Sequence, residues 1–157
     1  MKKVLIALFF TSVLIYSKAE AYTLYVYSED IEKKMKEYMH PKNREEMEKM
    51  KEYVEAVSRA FANSGHRIAY NKNSYFDYYA IVEVTINKEG GLILWCLAYE
   101  KVEVELKVTI VDPQLQYYIA MESVKGGSIE GIGNDSPDEL AEKVVKRIDK
   151  ALKNRKH

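Results

Sequence analysis

The sequence has little of three features on which many protein functions depend: cysteine, an excess of one charge, and long apolar stretches. Cys96 is the only cysteine among 157 residues, so an intramolecular disulfide is excluded and a cysteine-based zinc site is not expected. Lysine and arginine together number 24, as do aspartate and glutamate. Because binding driven by phosphate neutralisation needs a basic face, we predict no nucleic-acid partner.

The one extended apolar stretch lies at the start of the chain. It covers the 13 residues from Val4 to Tyr16, follows two lysines, and precedes the small-x-small sequence Ala19-Glu20-Ala21. A membrane-spanning helix needs about 20 residues, so this pattern is typical of a signal peptide, with an uncleaved anchor as the alternative. We predict that residues 1–21 are a signal peptide and that residues 22–157 are a single domain. That domain, periplasmic or secreted, carries 21 basic and 23 acidic residues and no stable membrane span.

Groups that could carry catalysis or hold a metal are also scarce. The three histidines, His40, His66 and His157, lie far apart in the sequence, and none belongs to a recognisable nucleophile motif. No His-x-x-x-His pair or EF-hand loop is present. The loop from Gly131 to Ser136 precedes a helix but lacks the Gly-Lys-Ser/Thr of a P-loop, so we interpret it as a connection and a helix cap. We therefore expect no catalytic residue, no metal site and no cofactor.

Two amphipathic helices are predicted from their apolar spacing and their caps. A shorter helical stretch, from Ile31 to Met39, comes before the first of them. The first amphipathic helix then begins at Asn43, with Glu46 as its capping-box partner, and ends at Gly65. The second begins at the N-cap Ser136, where Pro137 and Glu139 complete a strong start signal. Apolar residues recur every three or four positions in the first helix (Met47, Met50, Val54, Val57, Phe61) and in the second (Leu140, Val144, Ile148, Leu152).

Strands are predicted where apolar residues alternate. Tyr22–Tyr27 and His66–Tyr70 are short candidates, whereas from Ala80 to Ile110 the even positions are apolar almost throughout. We place a hairpin loop at Lys88-Glu89-Gly90, so that Val84 faces Leu94 and the even residues share one face. A further strand follows Asp112-Pro113, and a glycine-rich connection runs from Gly126 to Gly133. The alternating residues of that strand are Leu115, Tyr117, Ile119 and Met121.

The predicted order of elements is β-α-β-β-β-β-α. The sheet and each of the two amphipathic helices have one apolar face, and packing the helices on the sheet removes these faces from water. The fold class is therefore α+β, a two-layer domain in which an antiparallel meander sheet is packed by two amphipathic helices.

This order of elements resembles small domains of bacterial envelope proteins, namely the CsgG-like and TolB amino-terminal group and related outer-membrane lipoproteins. The similarity covers roughly residues 44–153 and is carried by Gly65 before a strand, by the strand Asp77–Val84, by Val108–Pro113 before a turn, and by the final capped helix. The chain departs from this group because it has no lipidation cysteine and no glycine just after Asp-Pro. The resemblance implies an interaction or assembly role in the envelope and carries over no catalytic residue.

One end of the predicted sheet is apolar on both faces. Ile93, Trp95, Leu97 and Tyr99 alternate with core residues, and the predicted register places Tyr79 and Ile81 beside them. We predict that these six residues bind a protein partner or a second copy of the chain, unless residues 22–39 cover them. The rival hypotheses are a carrier of a small apolar ligand or glycan, with a cavity beside Trp95, and an enzyme, which the lack of converging catalytic groups disfavours.

Overall fold

The computed structural model describes residues 21–36, 41–93, 97–129 and 135–154. Eight elements follow one another in this part of the chain. They are β1 (Thr23–Tyr27), α1 (Glu29–Lys36), α2 (Pro41–Asn63), β2 (Arg67–Ile68), β3 (Tyr78–Ile93), β4 (Leu97–Val111), β5 (Tyr118–Ile129) and α3 (Pro137–Asn154).

The five strands form one sheet in the order β2-β1-β3-β4-β5. The strands β3, β4 and β5 are an antiparallel meander, as predicted, whereas β1 runs parallel to both β2 and β3. The parallel pairs arise because α1 and α2 return the chain to the end of the sheet where β1 began, so that β2 runs in the direction of β1. The predicted α+β class is confirmed, and its sheet is mixed.

The core lies between the helices and the even-numbered face of β3 and β4, as the alternation predicts. Phe61 and Val57 of α2 and Leu140 and Ile148 of α3 are fully buried against this face. The buried sheet residues are Ala80, Val82, Val84, Val104, Leu106, Val108 and Ile110. Burial of this face at about 25 cal/mol per Å² of apolar surface is the main force that holds the two layers together.

The predicted hairpin loop at Lys88-Glu89-Gly90 is wrong. Strand β3 continues through these residues, Gly90 pairs with Glu100, and Ile93 pairs with Leu97, so the connection between the strands is residues 94–96, which lie outside the described residues. Alternation could not decide between the two registers, because each pairs even residues with even residues. The observed register forms a ladder of 15 pairs, from Tyr79↔Val111 to Ile93↔Leu97.

Strand β5 also departs from its prediction. Leu115 and Tyr117 belong to an exposed loop and Met121 is exposed, whereas Ala120 and Val124 are buried in the core and Ile119 is half-buried against it. An irregularity in the ladder between Ile110 and Val111 accounts for the change, since a bulge adds one residue and reverses the alternation beyond it. Gly126 and Gly127 lie within β5, so the first part of the predicted glycine-rich connection is strand, and residues 130–133 fall outside the described residues.

The helix ends follow their sequence signals closely. After α2, Gly65 has φ 94°, and the N–H groups of Gly65 and His66 donate to the carbonyls of Ala62 and Phe61, which is a Schellman cap. Before α3, Ser136 and Glu139 form the predicted capping box, with N–H to side-chain distances of 3.1 and 3.2 Å.

The start of α2 is less well matched. The helix begins at Pro41, two residues before the predicted Asn43, because proline suits the first helical position. The side chains of Asn43 and Glu46 and residues 37–40 fall outside the described residues.

Candidate interaction surfaces

The end of the β3–β4 hairpin projects as a two-stranded ribbon. Strand β5 pairs with β4 only as far as Lys101↔Ile129, so the pairs from Gly90↔Glu100 to Ile93↔Leu97 have no third strand among the described residues. Ile86 and Val102 are half-buried at the margin of the core, and the ribbon begins beyond them. Residues 87–90, which lead into the ribbon, are exposed.

Three of the predicted partner-binding residues lie in this ribbon. Ile93 pairs with Leu97, and Tyr99 pairs with Gly91, so the backbone brings all three to the hairpin end. Trp95 lies outside the described residues, as do the side chains of the other three. Their role as a partner-binding group stays a prediction.

The predicted grouping of Tyr79 and Ile81 with this hairpin end is wrong. Ile81 pairs with Thr109 and Tyr79 with Val111, at the opposite end of the ladder. Twelve residues separate Ile81 from Ile93, which is about 40 Å along a strand. The error follows directly from the misplaced turn.

The proposed internal cover does not reach the hairpin end either. Strand β1 ends at Tyr27, opposite Ile81, and α1 adds eight residues, which is about 12 Å of helix. The described part of the segment 22–39 therefore lies near the first half of β3 and falls well short of Ile93.

Tyr79 and Ile81 instead belong to an aromatic surface that the sequence analysis missed. On the face opposite the helices, the sheet register aligns Tyr25, Tyr79, Val111 and Tyr118 in one row and Tyr27, Ile81, Thr109 and Met121 in the next. Phe76, from the β2–β3 loop, packs against the first row, with its ring centroid 4.7 Å from that of Tyr79 and 5.6 Å from that of Tyr25. The alternation of Tyr25 and Tyr27 with the core-facing Leu24 and Val26 was the available signal.

The rest of this open face is charged. Lys107 pairs with Glu83, which raises the pKa of the lysine, and Lys125 lies 3.6 Å from Glu103 and 3.7 Å from Glu105. These side chains are more than one-third exposed, so the pairs contribute little stability. The face is thus divided into an aromatic half and a solvated, nearly neutral half.

An open cleft of about 260 Å³ adjoins the aromatic half, between β1, α1 and α2. Tyr25, Tyr27, Ile31 and Val54 supply most of its apolar lining. Burial raises the pKa of Tyr27 to about 12, with a further contribution from the nearby carboxylates of Glu29 and Glu32. Tyr27 therefore keeps its hydroxyl proton at neutral pH. The carrier hypothesis predicted a closed cavity beside Trp95, whereas this cleft is open and lies at Tyr27.

The outer edge of β5 is partly blocked by polar side chains. Arg147 of α3 donates to the carbonyl of Ser123 over 2.7 Å, and the carboxylate of Asp135 accepts the N–H of Gly127. Lys143 holds Asp135 in place at 2.7 Å and lowers the pKa of that carboxyl group below its usual value. A partner strand could not use these two backbone groups without displacing both side chains.

His66 is the only histidine among the described residues, and its contacts are structural. Its Nδ1 accepts the Tyr22 N–H at 3.2 Å, and its Nε2 lies 2.9 Å from Asp149 Oδ1. Both ring nitrogens thereby join the start of β1 to α3. Within the described residues, no three His, Cys, Asp or Glu side chains are grouped so that they could hold a metal ion. In the same part of the chain, no helix is long and apolar enough to span a membrane.

No family model and no curated protein matches the sequence. Among solved structures, the chain is similar to a minor lipoprotein from Acinetobacter baumannii, with 8% identity and a TM-score of 0.46 over 85% of this chain and 94% of that chain. It is also similar to a lipoprotein from Caulobacter crescentus CB15, with 9% identity and a TM-score of 0.39 over 66% and 80% of the respective chains. At these TM-scores the similarities carry no functional information, and membership of the CsgG-like or TolB group stays a prediction.

Proposed function

We propose that this chain is an exported, non-enzymatic interaction or assembly module of the bacterial periplasm or envelope. Its protein partner binds the hairpin end formed by Ile93, Trp95, Leu97 and Tyr99. One observation carries the proposal: the sequence has eight consecutive apolar residues, Leu92 to Tyr99, and the described strand residues among them lie beyond the last β4–β5 pair, Lys101↔Ile129.

A ribbon of only two strands contributes little stability of its own. An isolated hairpin is only marginally stable in water, and the sequence from Leu92 to Tyr99 is apolar at both odd and even positions. Contact with a partner would remove that surface from water. Tryptophan and tyrosine are also the residues that most often dominate the energy of a protein interface.

The start of the folded domain supports the export part of the proposal. Among the described residues, Ala21 is exposed, and Tyr22 is anchored at both backbone groups: its N–H donates to His66 and its carbonyl accepts the Arg67 N–H at 2.8 Å. This anchoring starts at the residue that follows the predicted cleavage site, which is what export with cleavage after Ala21 requires.

The decisive experiment replaces Trp95 and Leu97 together by glutamate. We expect a nearly unchanged denaturant midpoint and the loss of a crosslinked partner in a pull-down from intact cells. The control pair, Glu103→Gln with Glu105→Gln, alters the open face of the same strand without changing apolar surface and should keep the partner. A double variant that still crosslinks its partner would refute the proposal. A loss of several kcal/mol in unfolding free energy would show that the chain itself buries the hairpin end.

A second candidate, a carrier of a small apolar ligand or glycan, is favoured by the cleft beside Tyr27. Native mass spectrometry of the protein purified from its own cells tests this candidate. A retained ligand that is lost on Val54→Trp, which would fill the cleft, would support it, and a ligand-free spectrum would contradict it.

A further inference from the structure

We propose that the aromatic half of the open face, with its two flanking loops, binds a neutral oligosaccharide chain. This site is separate from the hairpin end and goes beyond the function proposed above. Its platform is formed by Tyr25, Tyr75, Phe76, Tyr79 and Tyr118, and we call it the tyrosine platform.

Where the structure describes the side chains, the exposed large apolar ones lie in this region. Six large apolar side chains in the described residues are 48% to 94% exposed, and all of them lie in the β2–β3 loop, the β4–β5 loop or the first half of β5. They are Tyr70, Tyr75, Leu115, Tyr117, Tyr118 and Met121. Four of the six are tyrosines, whose rings offer an apolar face for the C–H groups of a sugar and whose hydroxyls stay hydrated. Such a concentration marks a binding surface.

Four of the five aromatic rings of the platform, those of Tyr25, Tyr75, Phe76 and Tyr79, are held in place before any ligand arrives. Tyr75 is 82% exposed, yet its hydroxyl donates to Asp77 Oδ1 at 2.9 Å. The other carboxylate oxygen of Asp77 accepts the Thr23 N–H at 2.7 Å, which ties the loop to β1. Phe76 is packed against Tyr79 and Tyr25. A platform fixed in this way loses little conformational entropy on binding.

The β4–β5 loop is also fixed by hydrogen bonds to an aspartate side chain. Asp112 Oδ1 accepts the N–H groups of Gln114 and Leu115 at 2.7 and 3.0 Å, and Gln116 has a left-handed backbone with φ 52°. Leu115 and Tyr117, which precede Tyr118 in this loop, are 65% and 48% exposed. Each loop is thus fixed by an aspartate carboxylate that accepts hydrogen bonds from nearby backbone N–H groups or hydroxyls.

The polar groups around the platform identify a neutral ligand rich in hydroxyls. The chain contains two glutamines, Gln114 and Gln116, and both lie in this loop, while Asn71 and Asn73 lie in the other. Amide side chains both donate and accept hydrogen bonds, which matches hydroxyl groups. A charged ligand would need a surplus of opposite charge, whereas the carboxylates of Asp77 and Asp112 already accept hydrogen bonds from Thr23 of β1, from Tyr75 and from Gln114.

The dimensions favour an extended ligand. The row from Tyr25 through Tyr79 and Val111 to Tyr118 crosses four strands, which is about 14 Å at the usual spacing between strands. A single sugar ring would contact only part of this row, whereas an oligosaccharide lying across the strands would contact all of it.

The test uses a microarray of neutral glycans, followed by titration calorimetry with the free oligosaccharide that gives the strongest signal. We expect binding that changes little between about 0.05 and 0.5 M salt, since no ion pair is formed. Tyr75→Ala and Tyr118→Ala should each weaken it about tenfold, the usual scale for the loss of one aromatic contact. Tyr118→Phe, which keeps the ring, and Lys146→Ala, on the far side of α3, should bind as the unaltered chain does.

Three outcomes would overturn the proposal. The first is that no neutral glycan on the array binds, and the second is that the alanine variants bind with unchanged affinity. The third is that sedimentation velocity shows a dimer that Tyr118→Ala dissociates, which would make the platform an interface between copies. The Trp95 and Leu97 double variant separates this proposal from the earlier one, because it should lose the protein partner and still bind the oligosaccharide.

Discussion

Gly126 offers the sharpest test of the packing between β5 and α3. A methyl group added at Gly126 would lie 2.7 Å from Leu140 Cδ2 and 2.9 Å from Asp135 Oδ2, whereas ordinary contacts between carbon atoms are about 3.5–4.0 Å. Leu140 is fully buried, and Asp135 is held by Lys143, so neither side chain can move away without breaking other contacts. Such overpacking costs about 1–3 kcal/mol. The reduced entropy of the unfolded chain offsets about 0.4–1 kcal/mol of this. We therefore expect Gly126→Ala to lower the unfolding free energy by about 1–2 kcal/mol.

Urea denaturation measures this change directly. At the slopes usual for small domains, the midpoint should fall by about 1 M. A double-mutant cycle with Leu140→Val, which removes the contacted methyl group, should show that the two substitutions together cost less than the sum of their separate costs. An unchanged midpoint for Gly126→Ala, or strict additivity in the cycle, would refute this account of the β5–α3 contact.

Three further predictions follow from particular residues. Ser136→Ala should lower the unfolding free energy by about 1 kcal/mol in urea denaturation, while Ser136→Thr, which keeps the capping oxygen, should change it less. The folded-state pKa of Tyr27 is about 12, above the ordinary value of 10. Between pH 10 and 12 the unfolded chain therefore loses this proton while the folded chain keeps it, so the free energy of unfolding should fall over that range. Tyr27→Phe should reduce that fall, measured as the pH dependence of the thermal midpoint. N-terminal sequencing of the protein from its own cells should begin at Tyr22, and an intact Met1 would contradict export with cleavage.

The features that the sequence predicts well are those set by local chemistry or by simple periodicity. Gly65 ends α2 because only a left-handed residue closes that cap, and Ser136 begins α3 because its hydroxyl accepts a helix N–H. The even-numbered core residues of β3 and β4 follow from alternation alone. None of these predictions needs knowledge of which strands pair.

Apart from the start of α2, the errors concern pairing, which alternation does not determine. A shift of the β3–β4 ladder by an even number of residues keeps every core residue inside, so Lys88-Glu89-Gly90 looked as suitable for a turn as positions 94–96. The bulge at Ile110 and Val111 reverses the alternation of β5 without any proline or glycine there to signal it. The contacts of Tyr79 with Tyr25 and Phe76 were missed for the same reason. They form only because β1 joins the sheet beside β3, and alternation does not predict that pairing.

The corrected register also determines how the two proposed surfaces can act together. The tyrosine platform and the hairpin end lie at opposite ends of the ladder, and its 15 pairs span about 50 Å. Ligands bound at the two ends would not touch, and sites this far apart with no shared contacts are expected to contribute additively. A glycan at one end and a protein at the other would therefore be joined without either changing the affinity of the other. Calorimetric titration of the oligosaccharide in the presence and absence of the captured partner should give the same dissociation constant. A clear difference would show that the ladder transmits a change between its ends, or that the two surfaces are parts of one site.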